Sequence, residues 1–351
     1  MASSTKRMGV LLIQLGTPND AGTPAVRRFL REFLSDPRVL DIPGLLRFFL
    51  VNFIIAPFRA PKSSKIYKEL WEVSGGHSPL LTYTDELTGK LNDRLNDAGI
   101  TVHMAMRYQG PSIPDVLNRM RLRNYDKILI LPMFPQYASS SSGTAMQCAM
   151  EEIAKWWAIP ELEVVSQFYD EDFYTDTLVE QARKHDLDSF DHILMSYHGL
   201  PDRHVDKVYE GKTNLCKDHN CEHGLDEQNA FCYKATSYET SRAIASKLGI
   251  DDSQYTVCFQ SRLDDKWLTP FSDEVIEEMA KAGSKRLLVF SPAFVADCLE
   301  TLIEVGSEYQ EIFTEHGGEH VQLVASCNTE DTWVDGLAAF IRARHVRPVI
   351  G

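Results

Sequence analysis

The run GVLLIQLG at residues 9–16 has the length of a β-strand and is apolar along almost its whole length. Continuous apolarity without alternation is typical of a parallel strand that is buried on both faces of its sheet. Seven similar runs follow it: VHMAMRY (102–108), KILILPMF (127–134), LEVVSQF (162–168), HILMSYHG (192–199), YTVCFQS (255–261), RLLVFSP (286–292) and HVQLVAS (320–326).

Between these runs lie segments with apolar residues at three- and four-residue spacing, which predict helices. They include residues 84–98, 113–121, 237–248 and 273–282. Alternation of strands and helices indicates an α/β architecture with parallel sheets. The order of motifs in residues 9–136 recurs in residues 192–294, so we expect two similar Rossmann-like halves at 8–175 and 176–345, with a cleft between them as the default ligand site.

Composition narrows the function classes. The 351 residues include 36 basic and 50 acidic side chains, for a net charge of −14. Nucleic-acid binding is disfavoured, because phosphate contacts need clustered Lys and Arg. The start resembles no secretory signal, and Arg47, Asn52 and Pro57 interrupt the longest apolar stretch, so we expect a cytoplasmic protein. Seven cysteines in such a chain favour metal binding or burial over disulfides.

Several familiar motifs are missing. The chain has no G-x-G-x-x-G after its first strand, no phosphate-binding G-x-x-x-x-G-K-[ST] and no G-x-S-x-G. The first two absences disfavour the common nucleotide-binding α/β proteins, and the third disfavours a serine hydrolase of the α/β type.

One histidine and one acidic segment are candidates for catalytic or metal-binding groups. His198 ends a predicted buried strand, where sites of α/β proteins form, although an ordinary loop histidine is the simpler interpretation. On a helix, Asp297, Glu300, Glu304 and Glu308 would form one acidic ridge, for which a solvated face is the usual explanation. Carboxylates leading to a histidine are suited to binding a divalent cation or passing protons.

Aromatic, hydroxyl and guanidinium groups follow other strands. MRYQGP supplies Arg107 and Tyr108, FPQYASSSSG supplies Tyr137, and FQSRLDDKWLTP supplies Ser261 and Trp267. Together these types of side chain would suit a flat aromatic ligand with acidic substituents, although each segment alone has ordinary loop composition.

These segments, in this order, resemble the ferrochelatases. The resemblance rests on GVLLIQLGTP, MRYQGP, FPQYASSSSG, SYHGLP, FQSRLDDKWLTP and SPAFVADCLET, and covers about residues 8–335. It implies two chelatase-type halves around a porphyrin cleft and a lyase that inserts ferrous iron into protoporphyrin IX, the last step of haem synthesis. It also implies that residues 45–58 form an apolar lip in peripheral contact with a membrane; a core helix is the alternative.

The resemblance implies a role for each matching residue. His198 would be the metal ligand and acceptor of pyrrole protons, with Glu300 opposite it and Asp297 and Glu304 as an acidic relay. The expected porphyrin-binding residues are Leu15, Arg107, Tyr108, Tyr137, Ser261, Trp267 and Phe294. Iron is the substrate metal, and His198 and Glu300 are its expected ligands.

A cysteine-rich insertion at 211–234 departs from the common pattern. It contains Cys216, Cys221 and Cys232, and the C-x4-C-x10-C spacing matches no standard zinc finger. It resembles the internal segment that carries a [2Fe-2S] cluster in some bacterial ferrochelatases. Cys148, Cys258 or a histidine would have to supply a fourth ligand; zinc or free thiols are the alternatives.

Two other functions remain open at this point. The protein could insert iron into coproporphyrin, or another divalent metal into a tetrapyrrole, because ring substituents are recognised by details that a sequence does not resolve. It could also be a tetrapyrrole carrier without turnover. A metal-dependent hydrolase is disfavoured, because the chain has no multi-histidine zinc motif.

Overall fold

The computed structural model describes residues 6–209 and 221–345, which form two compact units. The first comprises residues 6–134, 139–167 and 329–345, and the second comprises 135–138, 168–209 and 221–328. Each unit contains one four-stranded parallel sheet with helices around it. The predicted α/β fold with two Rossmann-like halves is therefore confirmed.

The first unit has the strand order β2-β1-β3-β4, with every neighbouring pair parallel. Its strands are β1 (Met8–Gly16), β2 (Ile100–Tyr108), β3 (Lys127–Pro132) and β4 (Glu161–Val164). Its helices are α1 (Thr23–Ser35), α2 (Gly44–Phe49), α3 (Ala56–Val73), α4 (Pro79–Leu95), α5 (Ile113–Arg121), α6 (Thr144–Ile153) and α12 (Asp331–His345).

The second unit repeats this topology with the order β6-β5-β7-β8, again all parallel. Its strands are β5 (His192–His198), β6 (Tyr255–Gln260), β7 (Arg286–Phe290) and β8 (His320–Leu323). Its helices are α7 (Asp172–Ala182), α8 (Asp202–Asp206), α9 (Tyr233–Leu248), α10 (Ser272–Ala282) and α11 (Tyr309–Glu315), and a π-helix at Glu300–Glu308 runs directly into α11.

Burial explains why the apolar runs become central strands. In β1, residues from Met8 to Ile13 are all buried, because helices cover both faces of the sheet. Ile13 and Leu11 pack with α5 and α6 residues in one cluster, and Leu194 and Val289 occupy the matching cluster of the second unit. Within each unit, the parallel strands end at one edge of the sheet, which brings together the segments that follow the strands of that unit.

Residues Gly44–Val73 form one continuous helix through α2, a π-helical stretch at Leu50–Ile55 and α3. By length and composition this helix is long and apolar enough to cross a membrane. One of its faces, including Ala56 and Ala60, is buried against α1 residues such as Val26. The residues predicted to form an apolar lip are largely exposed instead of packed in a core.

The first compact unit is not continuous in sequence. Residues from Phe168 onward belong to the second unit, and residues from Thr329 onward belong to the first unit again. Helix α12 packs against α4, where Arg94 pairs with Asp335 at 2.9 Å and Arg342 pairs with Asp97 at 3.1 Å. Local sequence patterns do not record this return, because the partners lie more than 240 residues away.

Candidate functional site

His198 is the last residue of β5 and is half-buried in the second unit. Its Nδ1 lies 2.7 Å from the carbonyl oxygen of Gly199, and a carbonyl only accepts hydrogen bonds, so Nδ1 carries the proton. In a neutral imidazole, Nε2 then keeps its lone pair. The backbone thereby sets the tautomer that a metal ligand or proton acceptor needs.

The residue after the histidine has to be glycine. The Gly199 amide donates to the Gln260 carbonyl oxygen at 2.7 Å, and a Cβ on Gly199 would lie 2.7 Å from that oxygen. The same Cβ would lie 3.3 Å from the Trp267 ring. On another side, the Phe294 ring centroid is 6.3 Å from that of His198. The structure therefore gathers Trp267 and Phe294, both predicted from the sequence, around the His198–Gly199 turn.

Glu304 lies in the π-helix and is held by the end of β6. The Ser261 amide donates to one carboxylate oxygen at 2.9 Å, and the Ser261 hydroxyl donates to the other at 2.5 Å. The Gln260 side-chain amide donates to that second oxygen at 3.3 Å. Ser261 has a φ of 63°, an uncommon conformation for a non-glycine residue that turns both of its donors to the carboxylate.

Burial raises the pKa of Glu304, and the hydrogen bond from Ser261 and the charge of His198 oppose this rise only in part. The neighbouring carboxylates Glu300 and Glu308 raise the pKa further. This carboxyl therefore interacts electrostatically with the histidine and with the acidic residues on either side of it. Such an arrangement is suited to passing a proton.

The acidic ridge differs from the prediction in two ways. The helix that carries Glu300, Glu304 and Glu308 is a π-helix, and it starts at Glu300. Asp297 is not on this helix but lies in the preceding loop, so the predicted four-member ridge has only three members. The prediction assumed an α-helix from Asp297 onward, and residue spacing alone does not reveal an i→i+5 hydrogen-bond pattern.

Asp297 is buried, with 5% of its surface exposed. Its carboxylate accepts hydrogen bonds from the Asn328 side chain at 2.7 Å and from the Ser326 amide at 3.2 Å. Glu300 interacts with Cys298 instead. Burial, followed by the charge of Glu300 and a hydrogen bond with it, raises the pKa of the Cys298 thiol. Asn328 and Gln260 were not predicted, since an isolated amide side chain gives no sequence signal.

In the first unit, Arg107 and Tyr108 end β2 and share one partner, Asp36. Arg107 forms an ion pair with Asp36 at 2.6 Å, and the Tyr108 hydroxyl donates to the same carboxylate at 3.0 Å. Burial raises the pKa of Asp36, but hydrogen bonds from Thr144 and the Arg38 amide and the charge of Arg107 lower it below its ordinary value overall. Tyr108 is fully buried, and Leu15 packs half-buried against the same cluster.

Tyr137 is half-buried in the second unit, where its ring packs edge-on against Phe231 at 5.6 Å between centroids. Phe231 is itself largely exposed. Neither residue has a contact with the His198 turn among those we describe.

The first unit also contains a cavity of about 770 Å³ that the sequence did not indicate. Ligand pockets commonly have volumes of about 300–1,000 Å³. The Ser78 hydroxyl is buried at its wall without a hydrogen-bond partner among the described residues. The lining combines apolar and acidic groups and includes Pro18, Asp20, Trp71, His77, Leu81 and Asp85. The paired Gly75 and Gly76, both with positive φ, were the available signal for an unusual loop here.

Of the three cysteines predicted to bind a cluster, Cys216 lies outside the described residues. The Cys221 and Cys232 sulfur atoms are 3.7 Å apart, both residues are buried, and the Tyr209 hydroxyl lies 3.8 Å from Cys221 Sγ. Within residues 6–209 and 221–345, no group of three or more His, Cys, Asp or Glu side chains is placed to hold a metal ion. The described residues thus provide two adjacent thiols and not a complete ligand set.

The suggested fourth ligand Cys258 lies in β6 among core residues such as Leu194 and Ile276. Burial raises the pKa of the Cys258 thiol to about 12, so it is poorly suited to act as a thiolate. Cys148 packs half-buried against the core of the first unit, and burial raises its pKa as well.

Two parallel sheets of the same topology, one of them ending in a histidine of fixed tautomer next to a half-buried glutamate, define a doubly wound α/β protein. A solved structure of SirB from Bacillus subtilis with Fe3+ has this fold, with a TM-score of 0.53 over 97% of this chain and 96% of that one at 8% sequence identity. The sequence profile of the ferrochelatase family matches residues 7–345, and the chain belongs to that family.

Individual relatives agree with the family profile. A ferrochelatase of Coxiella burnetii (strain Dugway 5J108-111) is 40% identical over 338 residues, which cover 95% of this chain and 93% of the relative. A ferrochelatase of Legionella pneumophila (strain Philadelphia 1) is 38% identical over 336 residues, covering 95% and 98%. The protein is therefore a lyase that inserts metal into a porphyrin, and ferrous iron is its substrate.

Proposed function

We propose that the porphyrin substrate is protoporphyrin IX, that the product is protohaem, and that His198 accepts the protons which the pyrrole nitrogens release. The choice of protoporphyrin IX rests on the resemblance of the sequence motifs. The observation that carries the role of His198 is the hydrogen bond between His198 Nδ1–H and the Gly199 carbonyl. It leaves Nε2 as the one basic atom of the ring, and a neutral imidazole takes up protons efficiently near neutral pH.

Insertion of Fe2+ into a free-base porphyrin forms metal–nitrogen bonds and releases two protons. In the proposed mechanism, His198 Nε2 takes one pyrrole proton, and the Glu304 carboxylate stabilises the imidazolium that results. This proton then passes to Glu304 and on to Glu300 along the π-helix, and the regenerated imidazole takes the second proton by the same route. Imidazole and carboxylate are also suitable ligands for ferrous iron on its way to the ring.

The porphyrin would be held by apolar and polar contacts outside this proton path. Trp267 and Phe294 flank His198 and offer aromatic surface to a flat ring. Leu15, Arg107, Tyr108 and Tyr137 are proposed to contribute to porphyrin binding by their match to the family.

The test is an anaerobic absorption time course with ferrous iron and protoporphyrin IX. We expect the wild type to convert the porphyrin spectrum to a haem spectrum, and His198→Ala to slow this conversion by about 10²–10⁴-fold. His192→Ala is the matched control, because His192 lies at the other end of the same strand and its imidazole is hydrogen-bonded to the Thr256 hydroxyl. It should retain activity.

Porphyrin fluorescence in the same samples separates the alternatives. His198→Ala should still bind porphyrin, because the base is lost while the surrounding walls remain. A wild type that binds porphyrin without inserting metal would be a carrier. Faster metal insertion into coproporphyrin than into protoporphyrin IX would identify coproporphyrin as the substrate, and faster insertion of another divalent cation would identify that cation as the substrate metal.

A membrane surface is the proposed partner of the segment at residues 45–58. Leu45, Phe53 and Phe58 are 74%, 62% and 79% exposed. At the surface the rings of Phe49 and Phe53 stack, and the Phe48 ring meets both of them edge-on. A cluster of exposed aromatic and aliphatic side chains of this kind marks an interaction site. The chain would remain cytoplasmic and peripheral, because the Ala56–Ala60 face of the helix is already packed on α1.

Charge supports a lipid partner with anionic headgroups. Residues 23–73 contain nine Lys and Arg against five Asp and Glu, the reverse of the balance in the whole chain. Arg59, Lys62, Lys65 and Lys68 follow the apolar cluster along the same helix and are all exposed. An apolar face next to basic residues is the pattern of a helix that lies in the plane of an anionic membrane surface.

The cysteine-rich segment is proposed to bind a [2Fe-2S] cluster, with zinc or free thiols as the alternatives. Two buried thiols 3.7 Å apart support metal binding, and Cys216 lies in the same stretch of sequence. Visible charge-transfer bands in the anaerobically purified protein would support the cluster. Cys221→Ser should abolish these bands and Cys258→Ser, a core substitution in β6, should not; a colourless wild type with bound zinc or without metal would contradict the proposal.

A further inference from the structure

The loop between β7 and the π-helix is tied to the loop after β8 through one pair of side chains, Asp297 and Asn328. The Asp297 amide donates to Asn328 Oδ1 at 2.8 Å, and Asn328 Nδ2 donates back to Asp297 Oδ2 at 2.7 Å. Two further bonds join the same loops: the Ser326 amide donates to Asp297 Oδ1 at 3.2 Å, and the Asn328 amide donates to the Val295 carbonyl oxygen at 2.8 Å.

The backbone of the second loop is shaped for this contact. Asn328 has a φ of 45°, a left-handed conformation that asparagine adopts more readily than most residues. The Gln181 side chain donates to the Ser326 carbonyl oxygen at 3.1 Å and so fixes the loop from the side of α7. Asn328 therefore combines a backbone conformation and two side-chain atoms that few other residues would supply together.

Asp297 has the hydrogen bonds of a structural carboxylate. Each of its oxygens already accepts a bond from a group that does not exchange protons at neutral pH, an amide side chain or a backbone amide. Only 5% of its surface is exposed. A residue in a proton relay needs a neighbour that gives or takes protons, and the described contacts of Asp297 include none.

The pair lies directly before the proposed proton path. The Cys298 amide donates to Thr301 Oγ1 at 3.0 Å, and the Leu302 amide donates to the Cys298 carbonyl oxygen, so Asp297 is followed at once by the first turn of the π-helix. Glu300 starts that helix and Glu304 lies one turn further. Fixing Asp297 consequently fixes where both glutamates stand relative to His198.

We infer that Asp297 and Asn328 act together as positioning residues for the glutamates of the π-helix, and that Asp297 is not itself a member of the proton relay. This inference rests on the proposed function of His198, Glu300 and Glu304. It assigns the contribution of Asp297 to its hydrogen bonds, which another pair of the same shape can replace.

An exchange of the two side chains tests this directly. In Asp297→Asn combined with Asn328→Asp, the residue 297 amide and side-chain NH2 both donate to the new carboxylate at 328, and the Ser326 amide still finds a side-chain oxygen at 297. Each single substitution instead places two like groups against each other. We expect each single variant to lose about 10- to 100-fold in kcat through misplaced glutamates, and the exchanged pair to regain most of it.

The inference would be overturned by an exchanged variant that unfolds at the wild-type temperature yet inserts iron as slowly as Asp297→Asn. Such a result would mean that the relay needs a carboxylate at position 297.

A second comparison does not depend on the exchange: Asn328→Ala keeps the carboxylate and breaks the pair. It should lose as much kcat as Asp297→Ala, and the double alanine variant should lose no more; full activity of Asn328→Ala would also contradict the inference.

Two controls complete the design. Asn124 in the first unit also has a positive φ, of 50°, and Asn124→Ala should leave kcat unchanged. This control shows whether loss of any asparagine with a left-handed backbone lowers kcat, or only loss of the one that pairs with Asp297. Thermal unfolding of the same variants gives a readout without iron. If the wild type inserts no iron, the proposed function fails, while recovery of the unfolding temperature in the exchanged variant still tests the pairing itself.

Discussion

At the scale of single residues, Glu304 shows how function and stability oppose each other. Three donors from the end of β6 orient its carboxylate, yet burial raises its pKa because the charged form loses hydration. A carboxyl with a raised pKa binds protons more readily in the folded protein than in the unfolded chain. It therefore lowers stability as pH rises above its ordinary value of 4.5.

Replacing Glu304 with Gln should separate these two roles. Gln keeps the shape and can still hydrogen bond with Ser261, but it neither carries charge nor passes a proton. We expect iron insertion to fall by about 10²–10⁴-fold. We also expect the variant to be more stable than the wild type, by a margin that is larger at about pH 8 than at about pH 5, measured by urea unfolding. A margin that shrinks as pH rises would contradict the assigned direction of the pKa.

At the scale of elements, the π-helix at Glu300–Glu308 is the least regular part of the site and carries its acidic residues. π-Helical stretches are rare and frequently occur at functional sites. The helix ends of the ordinary elements follow simpler rules: α9 and α10 stop at Gly249 and Gly283, each in a left-handed conformation. Glycine is needed at such ends, whereas inside a helix it costs stability.

Two glycines test this rule under matched conditions. Gly89 lies inside α4 and Gly249 ends α9; both are exposed, and a Cβ would meet no atom within 4 Å at either. Gly89→Ala should raise the free energy of unfolding by about 0.5–1 kcal/mol. Gly249→Ala, at a φ of 75°, should lower it by about 1–2 kcal/mol. Urea unfolding measures both, and equal effects of the same sign would show that conformation is not the cause.

At the scale of the whole molecule, charge and apolar surface are unevenly distributed. The chain carries a net charge of −14, but the helix at Gly44–Val73 combines exposed Phe and Leu side chains with exposed Lys and Arg. A porphyrin has a large apolar ring, so a surface that meets a membrane would suit an enzyme that takes one up. Such a surface has two components, apolar insertion and attraction to anionic headgroups, and they can be measured separately.

Vesicle sedimentation should resolve these components. Neutralising three lysines, with Lys62→Gln, Lys65→Gln and Lys68→Gln together, should weaken binding to vesicles containing phosphatidylglycerol by on the order of 100-fold, at about 1 kcal/mol per charge. Binding to phosphatidylcholine alone should change little. Phe53→Ser with Phe58→Ser should weaken binding to both kinds of vesicle.

The matched control removes the same charge elsewhere in the first unit. Arg119→Gln, Arg121→Gln and Arg123→Gln are exposed substitutions on or just after α5 and should leave vesicle binding unchanged. If this control weakens vesicle binding as much as the lysine variant does, the effect comes from net charge and not from the helix. Wild-type protein that binds neither kind of vesicle would contradict the membrane proposal.

The sequence by itself determined the local elements and the family. All eight apolar runs became strands, the pattern at 113–121 became α5 with the same bounds, and His198 ended its strand as expected. Most of these predictions succeed because burial on both faces of a parallel sheet, and the helical repeat, leave their pattern in consecutive residues. Strand β4 is an exception, since three of its four residues are exposed. The family could be identified because its motifs are short stretches of consecutive residues, which are visible without the fold.

Only the tertiary structure decided which residues meet. Asp297 moved from the predicted ridge to a pair with Asn328, 31 residues further along the chain, and Glu304 found its partner in Ser261, 43 residues before it. Helix α12 returned to the first unit across more than 240 residues. Hydrogen bonds and ion pairs of this kind join groups that are close only after folding, so no periodicity in the sequence records them.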